Sequence, residues 1–314
     1  MVTGGIILIS IIASDMDGTL LNDKMQISDG NLTAIKAAQT ANIEFVIATG
    51  RSRHEVLPLL TGLEQIPAMI TMNGAQVFNQ AGESVFDVAI DKDTVRTLID
   101  YLHAHGIYFE LATNQGNYSD SKVHHIQNVA DLLVNLNPDT SYKIAVALSA
   151  SRLELMNINY VTDGYTKLLT DPDIKIYKLI AFSNATTPDL TPVKELCDQQ
   201  SQLIVTSSSS NNIEINHVDA QKGIALAAYA DSQNVPIEAT MSIGDNLNDF
   251  SMIKVAGIGV AMANAVPTIK GVANYQTNTN VLDGVARAIH HAQDINQQAE
   301  KMWLDANVIH SKNG

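Results

Sequence analysis

Cysteine is almost absent. The 314 residues hold one, Cys197, so no disulfide forms within the chain, which suits a reducing compartment such as the cytoplasm. Aromatic residues make up 5%, too few for a platform on which bases stack. Basic residues number 19 against 33 acidic ones and form no run, so nucleic acid and anionic membrane surfaces are excluded as partners. Long apolar runs are missing as well. The apolar start, residues 6–12, is too short to span a bilayer. No basic segment precedes it, so it does not read as a secretion signal. A first strand accounts for it better. What remains is 46% hydrophobic residues and a mean hydropathy near zero, the make-up of a soluble globular chain. Its length allows an α/β core plus a second unit.

Apolar runs alternate with helical patterns. Leu32, Ile35 and Ala38 follow Ser28, a helix N-cap candidate, and Asn42 marks the stop. Residues 43–47 predict a strand, Val56, Leu59 and Leu60 a helix, and residues 68–72 a third strand ending in Asn73-Gly74. This β-α-β-α-β order implies a parallel sheet with right-handed crossovers. The pattern then changes. Residues 76–78 and 85–90 flank a turn and predict a hairpin. Val95, Leu98, Ile99 and Leu102 predict a helix ending at Gly106. Residues 107–111, 143–148, 174–182, 203–206 and 212–215 predict strands of a separate α/β unit inserted at about 83–215. Residues 207–210 read as a short turn. The first pattern resumes from 216, with helices over 221–230 and 248–255 and strands over 239–243 and 257–261. There is no internal repeat, and the polar tail 294–314, with Trp303, reads as a helix on the core or a frayed end.

One stretch stands out: Asp15-Met16-Asp17-Gly18-Thr19-Leu20-Leu21, directly after the first apolar run. Strand alternation places Asp15 and Asp17 on the same side. They converge at the carboxyl end of a strand, where open α/β sheets hold ligands. Paired carboxylates suit a hard cation such as Mg²⁺, and one of them can act as a nucleophile. The competing reading is a strand-end turn broken by Gly18.

The heptapeptide resembles the first motif of the haloacid dehalogenase-like superfamily of phosphohydrolases. Three further stretches match in order: Ala48-Thr49-Gly50-Arg51, Lys222-Gly223, and Gly244-Asp245-Asn246-Leu247-Asn248-Asp249. The segments Gly259-Val260-Ala261-Met262-Ala263-Asn264-Ala265 and Asp283-Gly284-Val285-Ala286 narrow the likeness to the Cof-type subfamily. It spans about 11–289.

The resemblance implies a Rossmann-like doubly wound parallel core over 1–82 and 216–314, with a C2-type α/β cap over 83–215. It implies a Mg²⁺-dependent phosphatase for small phosphate esters such as sugar phosphates or phosphorylated cofactors. Asp15 would be the nucleophile that becomes an aspartyl-phosphate, and Asp17 the general acid and base. Thr49, Lys222 and Asn248 would bind the phosphoryl group, Lys222 also anchoring Asp15. Mg²⁺ would be held by Asp15, the Asp17 carbonyl and Asp245, with Asp249 bonding a water of the ion. Taken singly, the residues allow plainer readings. Thr49 or Asp245 can cap a helix. Asp249 suits any first helical turn. Lys222 can be a solvated lysine, and Arg51 and Asn73 have either substrate or structural roles. The chain departs from the family pattern at the hinge, where His217 and Asp219 stand in place of a frequent Pro and Gly. His217 reads as a surface hinge residue or a substrate contact. His124-His125 and His290-His291 lack metal-site spacing and read as solvated helix faces. Alternative functions are a sugar phosphomutase or phosphotransferase and a non-catalytic sensor of phospho-ligands. The substrate and the oligomeric state are not legible.

Overall fold

The structure, a computed structural model, describes residues 7–137, 139–151, 158–183, 189–207 and 211–312. Chain order runs β1 (Ile11–Ser14), β2 (Glu44–Ala48), β3 (Ala68–Thr71), β4 (Gln76–Phe78) and β5 (Ser84–Asp87). Six strands follow: β6 (Phe109–Thr113), β7 (Gly116–Ser119), β8 (Ile158–Tyr160), β9 (Ile176–Phe182), β10 (Leu203–Thr206) and β11 (Asn212–His217). Last come β12 (Thr240–Gly244), β13 (Ile258–Ala261) and β14 (Tyr275–Gln276). Contacts divide the chain into two units, Met1–Asp87 with Asp219–Gly314, and Val88–Val218.

The first unit holds an eight-stranded sheet in the order β14-β13-β12-β1-β2-β3-β4-β5. It is parallel from β14 to β3, and β4 and β5 add an antiparallel hairpin. The strand order reverses between β1 and β12, the switch point of a doubly wound α/β fold and the place where such sheets bind ligands. Both sheet faces are covered, which is why its strands read as continuous apolar runs without alternation. Ile12, Phe45, Ile47 and Ile243 pack among residues of helices Asp29–Thr40 and Gly284–Lys312. Ile11, Ala13, Val46 and Ile70 pack with Leu226 and Tyr229 of helix Lys222–Ser232. Ser28 caps the first of these helices by accepting from the Asn31 N–H, and Asn42 follows its end in a left-handed conformation.

The second unit has a six-stranded sheet, order β10-β11-β9-β6-β7-β8, antiparallel except for β7 and β8. Its apolar face meets Val95, Leu98, Ile99 and Leu102 of helix Lys92–Ala104.

Several sequence expectations differ from the structure. Residues 143–148 form no strand and belong to helix Tyr142–Ser151. β7, β8 and β14 have too little apolar character to announce themselves. Only Ile11–Ser14 of the first apolar run is strand, and Ile6 lies outside the described residues. The division falls after Asp87 and Val218, a few residues beyond the 82 and 215 suggested by the sequence, the first because β5 hairpins onto β4 within the core sheet. The tail is part of helix Gly284–Lys312 up to residue 312, with Trp303 exposed. Residues 208–210 of the expected turn and 313–314 of the tail lie outside the described residues.

Candidate active site

Asp15 follows β1 and its N–H donates to the Ile243 carbonyl of β12 (2.9 Å), so it sits on the switch point. The chain then turns through Gly18 at φ +80°, where a Cβ would lie 2.6 Å from Asp245 Oδ2. Glycine is needed there for both backbone angle and space. Thr19 Oγ1 donates to Asp245 Oδ1 (2.8 Å), and Asn264 Nδ2 donates to the Gly18 carbonyl (2.8 Å).

Lys222, the first residue of helix Lys222–Ser232, is 0% exposed. Its Nζ donates to Asp15 Oδ1 and Asp249 Oδ1, each at 2.6 Å. A lysine is buried only when paired, and two carboxylates supply the pairing here. Burial works against its ammonium, but Asp15 and Asp249 outweigh it and hold Lys222 above the ordinary lysine range. The remaining Asp249 oxygen accepts from the N–H groups of Asp245 (2.9 Å) and Asn246 (3.0 Å), which shapes the loop after β12.

Carboxylate oxygens of Asp15, Asp245 and Asp249 all lie within 4.8 Å of one another. Burial pushes Asp15 well above the usual carboxylate range, Asp249 and Asp245 add to this, and Lys222 offsets part. Burial followed by the Asp249 charge pushes Asp245 up to about 6, against the pull of Thr19 and Lys222. Three acids facing one ammonium are short of positive charge. Hard oxygen donors of this kind fit Mg²⁺. Asp249 spends both oxygens on protein donors, so Asp15 and Asp245 are the carboxylates placed to ligate directly.

Asp17 stands apart from this cluster, its side chain 46% exposed. Both its oxygens accept from Arg51, from Nε and Nη2 at 2.7 Å each. That bond raises the Arg51 pKa against the effect of burial. Thr49 follows β2 and is buried. Its Oγ1 accepts from the Arg51 N–H (3.2 Å) and does not cap the next helix. Ser52 does that, in a capping box with Glu55. Asn248, in the tight turn Leu247–Asp249, donates from Nδ2 to Asn73 Oδ1 (3.3 Å).

The structure thus gathers Asp15, Lys222, Asp245 and Asp249 in one cluster, with Asp17 paired to Arg51 and Asn248 to Asn73. Sequence reasoning gave no role to Thr19 or Asn264, although both fall within the stretches quoted above. His217 ends β11 in the second unit. His125 is not solvated as expected: it is buried, with Nδ1 2.8 Å from Glu110 Oε1. His291 stacks on Tyr275 at 4.0 Å between ring centroids.

A family model described as haloacid dehalogenase-like hydrolase matches residues 12–289. The chain is 31% identical over 282 residues to phosphatase YwpJ of Bacillus subtilis (strain 168), covering 90% of this chain and 99% of that one. It is 33% identical over 279 residues to 5-amino-6-(5-phospho-D-ribitylamino)uracil phosphatase YwtE of the same organism, covering 88% of this chain and 95% of that one. The solved structure of a haloacid dehalogenase-like hydrolase from B. subtilis superposes with a TM-score of 0.77 at 31% identity, over 90% of this chain and 99% of that one.

Proposed function

The chain belongs to the haloacid dehalogenase-like hydrolases, in the Cof-type group of phosphoric monoester hydrolases, and on that premise we propose that it is a Mg²⁺-dependent phosphatase of small phosphorylated metabolites working through an aspartyl-phosphate. The observation that carries this reading is the buried bridge of Asp15, Lys222 and Asp249 beside Asp245. A catalytically silent phosphate binder has no need of a carboxylate nucleophile facing its own anionic ligand. The names of relatives point to metabolite esters, and the polyol phosphate of YwtE is one candidate class.

Phosphoryl transfer asks chiefly for positioning and charge neutralisation. In the first step an Asp15 oxygen attacks phosphorus and the bond to the ester oxygen breaks. Asp17 gives that oxygen its proton once the Arg51 pair has opened. In the second step Asp17 takes a proton from water, which attacks the aspartyl-phosphate and releases phosphate and free Asp15. One group serving as acid and then base is ordinary two-step logic. Lys222 holds Asp15 in place and offsets part of the cost of its negative charge. Thr49 accepts from Arg51 N–H and so keeps its own proton for a phosphoryl oxygen, as does Asn248 with its second N–H. Mg²⁺, held by Asp15, the Asp17 carbonyl and Asp245 with Asp249 behind them, would neutralise phosphoryl charge and screen it from the nucleophile.

The test is phosphate release from para-nitrophenyl phosphate and a panel of sugar, polyol and cofactor phosphates, with Mg²⁺ and after chelation. Asp15→Asn should cut turnover by roughly 10³-fold or more, the scale of losing a nucleophile. Near-normal turnover in that variant, or full activity after exhaustive chelation, would overturn the reading.

A further inference from the structure

Met72, Asn73 and Gly74 leave β3 with three consecutive positive φ angles, +51°, +59° and +104°. Asparagine tolerates this region and glycine is at home in it, but methionine is not. Strain of this kind persists only where the surroundings over-determine it, and here they do. The Met72 N–H donates to the Arg51 carbonyl and the Asn73 N–H to the Thr49 carbonyl, each at 3.0 Å. A Cβ on Gly74 would lie 2.5 Å from the carbonyl carbon of Gln221, the residue before Lys222. The turn is therefore pressed against the second and third motif stretches at once.

Its one polar side chain reaches the fourth. Asn73 is 3% exposed, and its Oδ1 accepts from Asn248 Nδ2 at 3.3 Å. The same oxygen occupies the space that a Cβ on Gly50 would need, 2.9 Å away. Gly50 is thus small because the Asn73 amide lies against it. An asparagine amide has a donor end and an acceptor end. With its donor end held by Asn73 Oδ1, Asn248 keeps its second N–H, not its carbonyl, for an incoming anion. A rotated Asn248 would present oxygen to oxygen.

We propose that Asn73 is a positioning residue: held by the strained turn between Gly50 and Asn248, it fixes the Asn248 amide in the orientation that donates to the phosphoryl group. The inference rests on the phosphatase reading for the role of Asn248, and on the structure alone for the contact.

The test separates side chain from backbone. Asn73→Gly keeps the left-handed turn and removes only the amide. It should lower kcat by roughly 10- to 100-fold, the scale of losing a group that orients a binding residue, with KM within about threefold and the unfolding midpoint little changed. In an Asn248→Ala background it should cost nothing further, because the group it orients is gone. In ¹⁵N-asparagine-labelled protein the Asn248 side-chain amide signals should shift in Asn73→Gly. Wild-type turnover in Asn73→Gly, an equal loss in both backgrounds, or unmoved Asn248 signals would overturn the proposal. If the wild type released no phosphate from any ester, the phosphatase reading would fall, and the amide signals would still decide whether Asn73 holds Asn248.

Discussion

Asp245 is the residue whose charge state is easiest to interrogate. Its pKa is pushed up to about 6 in the folded chain and lies near 4 in an unfolded one. A carboxyl group raised in this way binds its proton more tightly when folded. Its favourable contribution is complete below about pH 4 and is lost as the pH climbs through about 6. Metal-free protein should therefore lose several degrees of unfolding midpoint over that window relative to Asp245→Asn, which cannot titrate. Added Mg²⁺ should stabilise the wild type above pH 6 and much less below it, since binding the ion displaces the proton. Thermal unfolding of the two proteins from pH 4 to 8, with and without Mg²⁺, checks this. Parallel curves for wild type and variant would refute it. The acids and the lysine were legible in the sequence as a set, because four stretches resemble the family's motifs in order; singly, only the pair Asp15 and Asp17 pointed to chemistry. The pairings were not: Arg51 meets Asp17 across 34 residues, and His125 meets Glu110 across 15. Nothing local marks such partners.

At the scale of elements, legibility followed burial. β1, β2, β3, β12 and β13 are covered on both faces and appear as short apolar runs bounded by polar residues. Lys143-Ile144-Ala145-Val146-Ala147-Leu148 has the same look and is helix, because a run that short has no resolvable period. The helix buries Ala145 and Ser149, one turn apart, and Ser149 Oγ donates to the Ala145 carbonyl (2.8 Å). Ala147 is exposed. A strand would have put 145, 147 and 149 on one face, so substitutions tell the two apart. Ala145→Leu should overpack the site and cost about 1–3 kcal/mol. Ala147→Leu should stay within about 0.5 kcal/mol, as exposed substitutions do. Urea unfolding of both variants checks the difference, and equal losses would contradict the helical assignment.

For the whole molecule, the net charge of −14 is adverse to an anionic ester. On the proposed reading, attraction would come from local donors, Lys222, Thr49 and Asn248, and from Mg²⁺, against the field of the chain. No helix among the described residues is long and apolar enough to cross a membrane. Every residue assigned a part in the chemistry belongs to the first unit, Met1–Asp87 with Asp219–Gly314, and the second, Val88–Val218, contributes none. Those assigned groups address the phosphoryl group and the ester oxygen, which all phosphate monoesters share, so they cannot rank one metabolite over another. Selection of the rest of the molecule is then expected of the second unit. Replacing residues 88–218 with the matching segment of a relative of different preference should reorder kcat/KM across the ester panel by roughly tenfold or more, the range that pocket contacts command. Dependence on Asp15 and on Mg²⁺ should persist in the chimera. A well-folded chimera that kept this protein's ranking would instead place selection in the first unit, where the turn at Asn73 would be the place to look.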